Sequence, residues 1–131
     1  MAFSWDHYLD LGENLHLQII NGNPSYSAHI EAAYRTIISR AYYAAFRVTR
    51  DYLEKKKIYI PQRTGIDHQN VKNKSDKVDP IIKANLTRLG QLRTNCDYDN
   101  PFPPPEVLND SLVQDSIYKA KKIIQIINSK S

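Results

Sequence analysis

Apolar residues recur at intervals of three and four along most of the chain, and nowhere do they alternate with period two. The longest such run is Ile30, Tyr34, Ile37, Ala41, Ala44 or Ala45, Val48 and Tyr52. Ile38, Tyr42 and Ala45 form a second stripe that widens the buried face. Together they predict a central helix from Ser25 or Ser27 to about Lys57 that meets neighbours on more than one side. Alanines at 41, 44 and 45 let another helix come close, while the paired tyrosines supply area and keep a hydroxyl for a polar partner. Glu31 with Arg35, Arg47 with Asp51, and Arg50 with Glu54 are spaced to form ion pairs worth roughly 0.2–0.5 kcal/mol each on an exposed helix face.

Three further helices follow from the same periodicity. Ser4 can cap the first, with Asp6 in its first turn and Trp5, Tyr8, Leu15 and Ile19 on one face around Gly12. Asn21-Gly22-Asn23-Pro24 ends it. Asp79-Pro80 opens another, because aspartate caps and proline suits the first helical position. Ile82, Leu86, Leu89, Leu92 and Cys96 bury its side, and it stops before Pro101. Prolines 101 and 103–105 form an extended connector, Pro105-Glu106 can start the last helix, and Val113, Ile117, Ala120, Ile124 and Ile127 give its face. Residues 58–79 are the least regular and are expected to be the most mobile, with a short helix over Ile66–Lys74 as the alternative to a loop. The expected fold is all-α: an antiparallel four-helix bundle with additional short helices, in one domain spanning 1–131.

Composition narrows the class. A chain of 131 residues with 41% hydrophobic and 24% charged residues has the make-up of a soluble globular domain rather than a disordered one. No apolar run approaches the ~18 residues of a membrane span, and the first residues lack the pattern of a signal peptide, so a cytoplasmic protein is expected. The single cysteine, Cys96, agrees with a reducing compartment. Net charge is +4, a mild attraction for polyanions. The densest basic clusters are Lys55-Lys56-Lys57 and Lys72, Lys74, Lys77; they read first as solvated helix ends and polar loop, and otherwise as nucleic-acid contacts.

The chemistry-bearing motifs are few. His7, His16, His29 and His68 are scattered without metal-ligand spacing, and no phosphate-cradling glycine loop occurs, so neither a metal nor a cofactor is expected. The prolines contain P-x-x-P, better read as a stiff spacer than as a docking motif. What remains is LRTNCDYDN, residues 92–100, where Arg93, Asp97, Tyr98 and Asp99 gather at a helix end. A cation there can hold a phosphate, and a carboxylate or phenol can position it or move a proton. An internal ion pair with capping groups is the plainer reading of the same spacing. Arg40, Tyr42 and Tyr43 join this site if they point into the seam near Arg93; Arg40 otherwise faces water.

YRTIISRAYYAAF, GIDHQNV and LGQLRTNCDYD, between a first helix bearing an early tryptophan and a final isoleucine-rich one, resemble the HEPN family of small α-helical domains over nearly the whole chain. The resemblance implies an antiparallel helical bundle, frequently a homodimer, in toxin–antitoxin modules and other defence or stress systems. Many members are metal-independent ribonucleases in which an arginine is followed four to six residues on by a histidine. Arg93 matches the arginine, but Asp97, Tyr98 and Asp99 stand where the histidine would be. The implied role is therefore binding through a degenerate ribonuclease site: to another copy, to a nucleotidyltransferase-type antitoxin, or to RNA or a nucleotide, with Arg40, Tyr43, Asp99, Lys72 and Lys74 as binding candidates. The alternative is a ribonuclease using Arg93 with Asp97 or Tyr98, and His68 as proton carrier if its segment folds back.

Overall fold

The computed structural model describes residues 3–130. Six helices follow one another: α1 (His7–Ile20), α2 (Pro24–Ser27), α3 (Ile30–Lys55), α4 (Ile66–Ser75), α5 (Pro80–Tyr98) and α6 (Asp110–Ser129), with no strand among the described residues. Helix α3 touches all five others, and the four longest helices meet in the cyclic order α1, α3, α5, α6. None is long and apolar enough to cross a membrane.

The centre of α3 explains this placement. Ile37, Ala41, Ala44, Ala45 and Leu53 have no accessible surface, and Ile38, Tyr42 and Phe46 extend the burial to adjoining faces. Small side chains at 41, 44 and 45 let neighbouring backbones close in, and Gly12 of α1 packs against α3, where an added Cβ would make ordinary contact with the Ile37 side chain at 3.7 Å. Opposing this helix are Leu9 and Ile19 of α1, Ile82, Leu86, Leu89 and Leu92 of α5, and Val113, Ala120 and Ile123 of α6. Buried His16 adds a polar tie between α1 and α6, its Nε2 lying 2.5 Å from Asp110 Oδ1.

Several boundaries depart from the expectation. The first helix begins at His7 rather than beside Ser4, because Ser4–His7 first closes a turn with a 3.1 Å bond from the His7 amide to the Ser4 carbonyl. The central helix starts at Ile30, and Pro24–Ser27 is a separate turn capped by Asn23, none of it buried, so no packing makes it continuous with α3. The last helix opens at Asp110, where the Asn109 side chain accepts from the Leu112 amide at 2.9 Å; Glu106 instead pairs with Arg88 on α5. Asp79 caps α5 as expected, accepting from the Ile81 amide at 2.8 Å.

Of the three expected ion pairs only Glu31–Arg35 forms, at 4.0 Å. Arg50 turns to Asp51, and Glu54 meets Arg63 instead. Arg35 does more as a cap: it donates to the carbonyls of Asn95, Cys96 and Asp99 at 3.3, 2.8 and 2.8 Å, satisfying the end of α5. Residues 58–79 fold against the body, with Val71 and Ser75 of α4 fully buried.

Because Ile37 is fully enclosed, Ile37→Ala should cost about 2–5 kcal/mol in denaturant unfolding, whereas Ile60→Ala, at a side chain 75% exposed, should stay within about 0.5 kcal/mol.

Candidate functional site

The chemistry-bearing residues converge where α3, α4 and α5 meet. Tyr42 and Tyr43 project from one turn of α3 and Phe46 from the next, His68 and Lys72 lie four apart on α4, and Arg93 comes from α5. Tyr42, Phe46, His68, Lys72 and Arg93 line one open cavity of about 390 Å³, with Gly90 and Thr94 along its α5 wall. Gly90 packs closely on the site: an added Cβ would lie 3.3 Å from the Tyr42 ring, a tight contact that would press on it.

His68 is fixed by rings and by one hydrogen bond. Its imidazole stacks on Phe46 with centroids 4.5 Å apart and planes 16° apart, and Nδ1 lies 2.6 Å from the Tyr42 hydroxyl. Burial pushes the Tyr42 phenol up to about 12 against the opposing pull of nearby Arg93, so it keeps its proton at neutral pH. Burial, then the positive charges of Arg93 and Arg47, lower the His68 pKa from its ordinary 6.5, with Asp67 pulling the other way. A neutral imidazole results. If Nδ1 donates to the Tyr42 oxygen, Nε2 carries a free lone pair; if Tyr42 donates, Nε2 is a hydrogen-bond donor.

Arg93 carries the positive charge of the cavity. Its guanidinium carbon lies 5.3 Å from the Tyr42 ring centroid and 5.5 Å from that of Tyr43, within cation–π range. The side chain is only 14% exposed, its closest carboxylate oxygen belongs to Asp97 at 3.5 Å, and its buried Nε–H has no partner. Besides the rings and one long ion pair, the Tyr42 hydroxyl also engages the guanidinium; its positive charge lines the cavity, and phosphate oxygens accept charge-assisted hydrogen bonds well.

The other candidates separate. Asp97 faces the opposite flank of Arg93, in a shallow groove shared with Arg40 and Tyr43. Arg40 is exposed, with its guanidinium 5.1 Å from the Tyr8 ring. Tyr98 is 75% exposed and lies outside both hollows, because five residues along a helix turn it away from Arg93. Asp99 contributes its backbone carbonyl to Arg35. Lys74 lies off the cavity that Lys72 lines. Cys96 is buried, which raises its thiol to about 12, so it is no nucleophile at neutral pH. No group of three or more His, Cys, Asp and Glu side chains among the described residues could hold a metal.

Phe46 and Arg47 are the site residues that spacing alone did not single out. Their signal was present, since Tyr42 and Phe46 are four apart, as are Tyr43 and Arg47, but it reads equally as core and as surface ion pairing. No family model, curated protein or solved structure matches the chain.

The depressed His68 pKa has a signed consequence. Between the folded value and 6.5 the unfolded chain binds the proton first, so stability should fall as pH drops through that window and level off below it. A ring-proton NMR titration should place His68 below 6.5, and Arg93→Gln should raise it by removing one of the two repelling cations; an unmoved value in the variant would contradict the geometry.

Proposed function

We propose that this chain is a HEPN-like protein, an antiparallel four-helix bundle that acts by binding a phosphate group of RNA or of a nucleotide in the cavity between α3, α4 and α5. The observation that carries the reading is Arg93: a side chain 14% exposed, its guanidinium laid against two tyrosine rings and its Nε–H unpartnered, lining one cavity with a lysine and a neutral histidine. In this reading Arg93 and Lys72 hold the phosphate, and the Tyr42 hydroxyl fixes His68. The setting is a toxin–antitoxin, defence or stress system, the protein works as a cytoplasmic homodimer, and a nucleotidyltransferase-type antitoxin is its protein partner.

A second reading, metal-independent RNA cleavage, is favoured by one observation: His68, distant from Arg93 in sequence, shares its cavity and is neutral. In that chemistry Nε2 takes the 2′-hydroxyl proton as the 2′-oxygen bonds to phosphorus. The 5′-oxygen leaves and takes a proton from water, and Arg93 offsets the charge gathering on the phosphate oxygens. His68 then stands in for the histidine missing after Arg93.

Fluorescence anisotropy with a labelled single-stranded RNA should show salt-dependent binding that Arg93→Gln weakens by about tenfold or more. Unchanged affinity in that variant would overturn the proposal. The same RNA incubated with excess chelator decides between the readings: intact RNA supports binding alone, and cutting lost in both Arg93→Gln and His68→Ala supports catalysis. Light scattering of the same samples should give twice 15.1 kDa, and a monomer at micromolar concentration would reject the dimer.

A further inference from the structure

His68 has two sides. Besides the Arg93 cavity it lines another hollow of about 230 Å³, shared with Arg47, Arg50 and Arg63 and with Tyr43 and Phe46. The guanidinium carbon of Arg47 lies 4.4 Å from the Trp5 ring centroid and 5.7 Å from that of Tyr43, and its buried Nε–H has no hydrogen-bond partner. Stacking on Trp5 orients this group without using its N–H edges. Arg50 is 7% exposed and holds Asp51 at 3.2 Å, while Arg63 meets Glu54 at 3.5 Å across an exposed surface where such pairs are weak.

One carboxylate, Asp67, lines the hollow with these three cations, and three donors hold it in place. Oδ1 accepts from the Tyr59 hydroxyl at 2.5 Å and the Gln62 amide at 2.9 Å, and Oδ2 from the Arg63 amide at 2.9 Å. Burial alone would raise the Asp67 carboxyl, but these donors outweigh it and hold the group below its usual 3.8. The same bonds secure Arg63 at φ 60°, a left-handed conformation that a non-glycine residue keeps only when its surroundings fix it. Asp67 therefore builds the loop that brings the third arginine to the hollow.

We propose that this hollow is a second phosphate subsite with Arg47 as its principal donor, so that one single-stranded oligonucleotide runs past both sides of His68, one phosphate at Arg93 and another at Arg47. The inference rests on the reading of the Arg93 cavity given above. It makes the ligand a strand rather than a mononucleotide, which would fill the Arg93 side alone. Tyr43, half-buried and within cation–π range of both Arg47 and Arg93, offers apolar surface to the intervening sugar or base.

The test compares octauridylate with uridine monophosphate, by anisotropy and calorimetry, at several salt concentrations. Arg47→Gln should weaken octauridylate binding about tenfold and flatten its salt slope by about 0.7, the loss of one phosphate contact, while uridine monophosphate binding changes less than twofold. Arg47→Lys should recover part of the loss, and Arg63→Gln should act in the same direction but less. The Arg63 side chain is 57% exposed, so that variant folds even if Arg47→Gln does not, and circular dichroism checks both. Unchanged octauridylate affinity and slope in Arg47→Gln and Arg63→Gln, with both probes lost in Arg93→Gln, would overturn the second subsite and leave the first standing. Equal loss of both probes in Arg47→Gln would overturn the two-sided path as well. If Arg93→Gln affects neither probe while Arg47→Gln weakens octauridylate, the Arg93 reading fails and takes the two-sided path with it.

Discussion

A helix that touches every other helix of its domain has little solvent in which to place charge, yet α3 carries Arg35, Arg40, Arg47 and Arg50 along its middle. Aromatic rings and backbone carbonyls resolve the conflict. Arg35 is absorbed by the open end of α5, Arg40 lies over Tyr8, and Arg47 and Arg50 lie over Trp5. The same device operates across the helix interface, where Arg93 of α5 rests on Tyr42 and Tyr43. A ring face stabilises a guanidinium by roughly 0.5–2 kcal/mol according to its desolvation, and it consumes none of the N–H donors. The outcome is a set of oriented cations with hydrogen bonds left to give.

This arrangement links core to site. The alanines of α3 bring its neighbours close, and closeness puts Gly90 against the Tyr42 ring and His68 against Phe46. Tyr42 is at once a buried core residue, the platform under Arg93 and the hydrogen-bond partner of His68. Changes in packing at this one ring would therefore reach the pKa of His68 and the aim of Arg93 together, and stability and ligand affinity should be coupled there more tightly than elsewhere in the molecule.

The helical periodicity was legible because it is long and little interrupted: Ile82, Leu86, Leu89, Leu92 and Cys96 are all buried on α5, and the cap Asp79 acts through a local hydrogen bond that neighbouring residues specify. Ion pairing was less legible. Arg47 with Asp51 and Arg50 with Glu54 have the right spacing, but Trp5, distant in sequence, draws Arg47 away, while Arg50 is held by Asp51 and Glu54 by Arg63. The start of α6 was obscured for a similar reason, since Glu106 is held by Arg88 on another helix. Within the candidate site, Arg93 and His68 were each identifiable, and their shared cavity depended on α4 folding back across Phe46. The weak apolar pattern of residues 58–79 did not reveal that step, because Asp67, a charged residue, does much of the organising.

The central claim is that ring-stacked arginines keep free N–H groups for an anionic strand. Nitrogen-detected spectra of the arginine side chains test it most directly. On titration with octauridylate, the Nε–Hε signals of Arg93 and Arg47, buried and unpartnered in the free protein, should shift, while the Nη–H signals of Arg35, already engaged with carbonyls, should stay in place. Shifts confined to the lysine-rich end of α3 at Lys55–Lys57, with both arginine signals unmoved, would contradict the account.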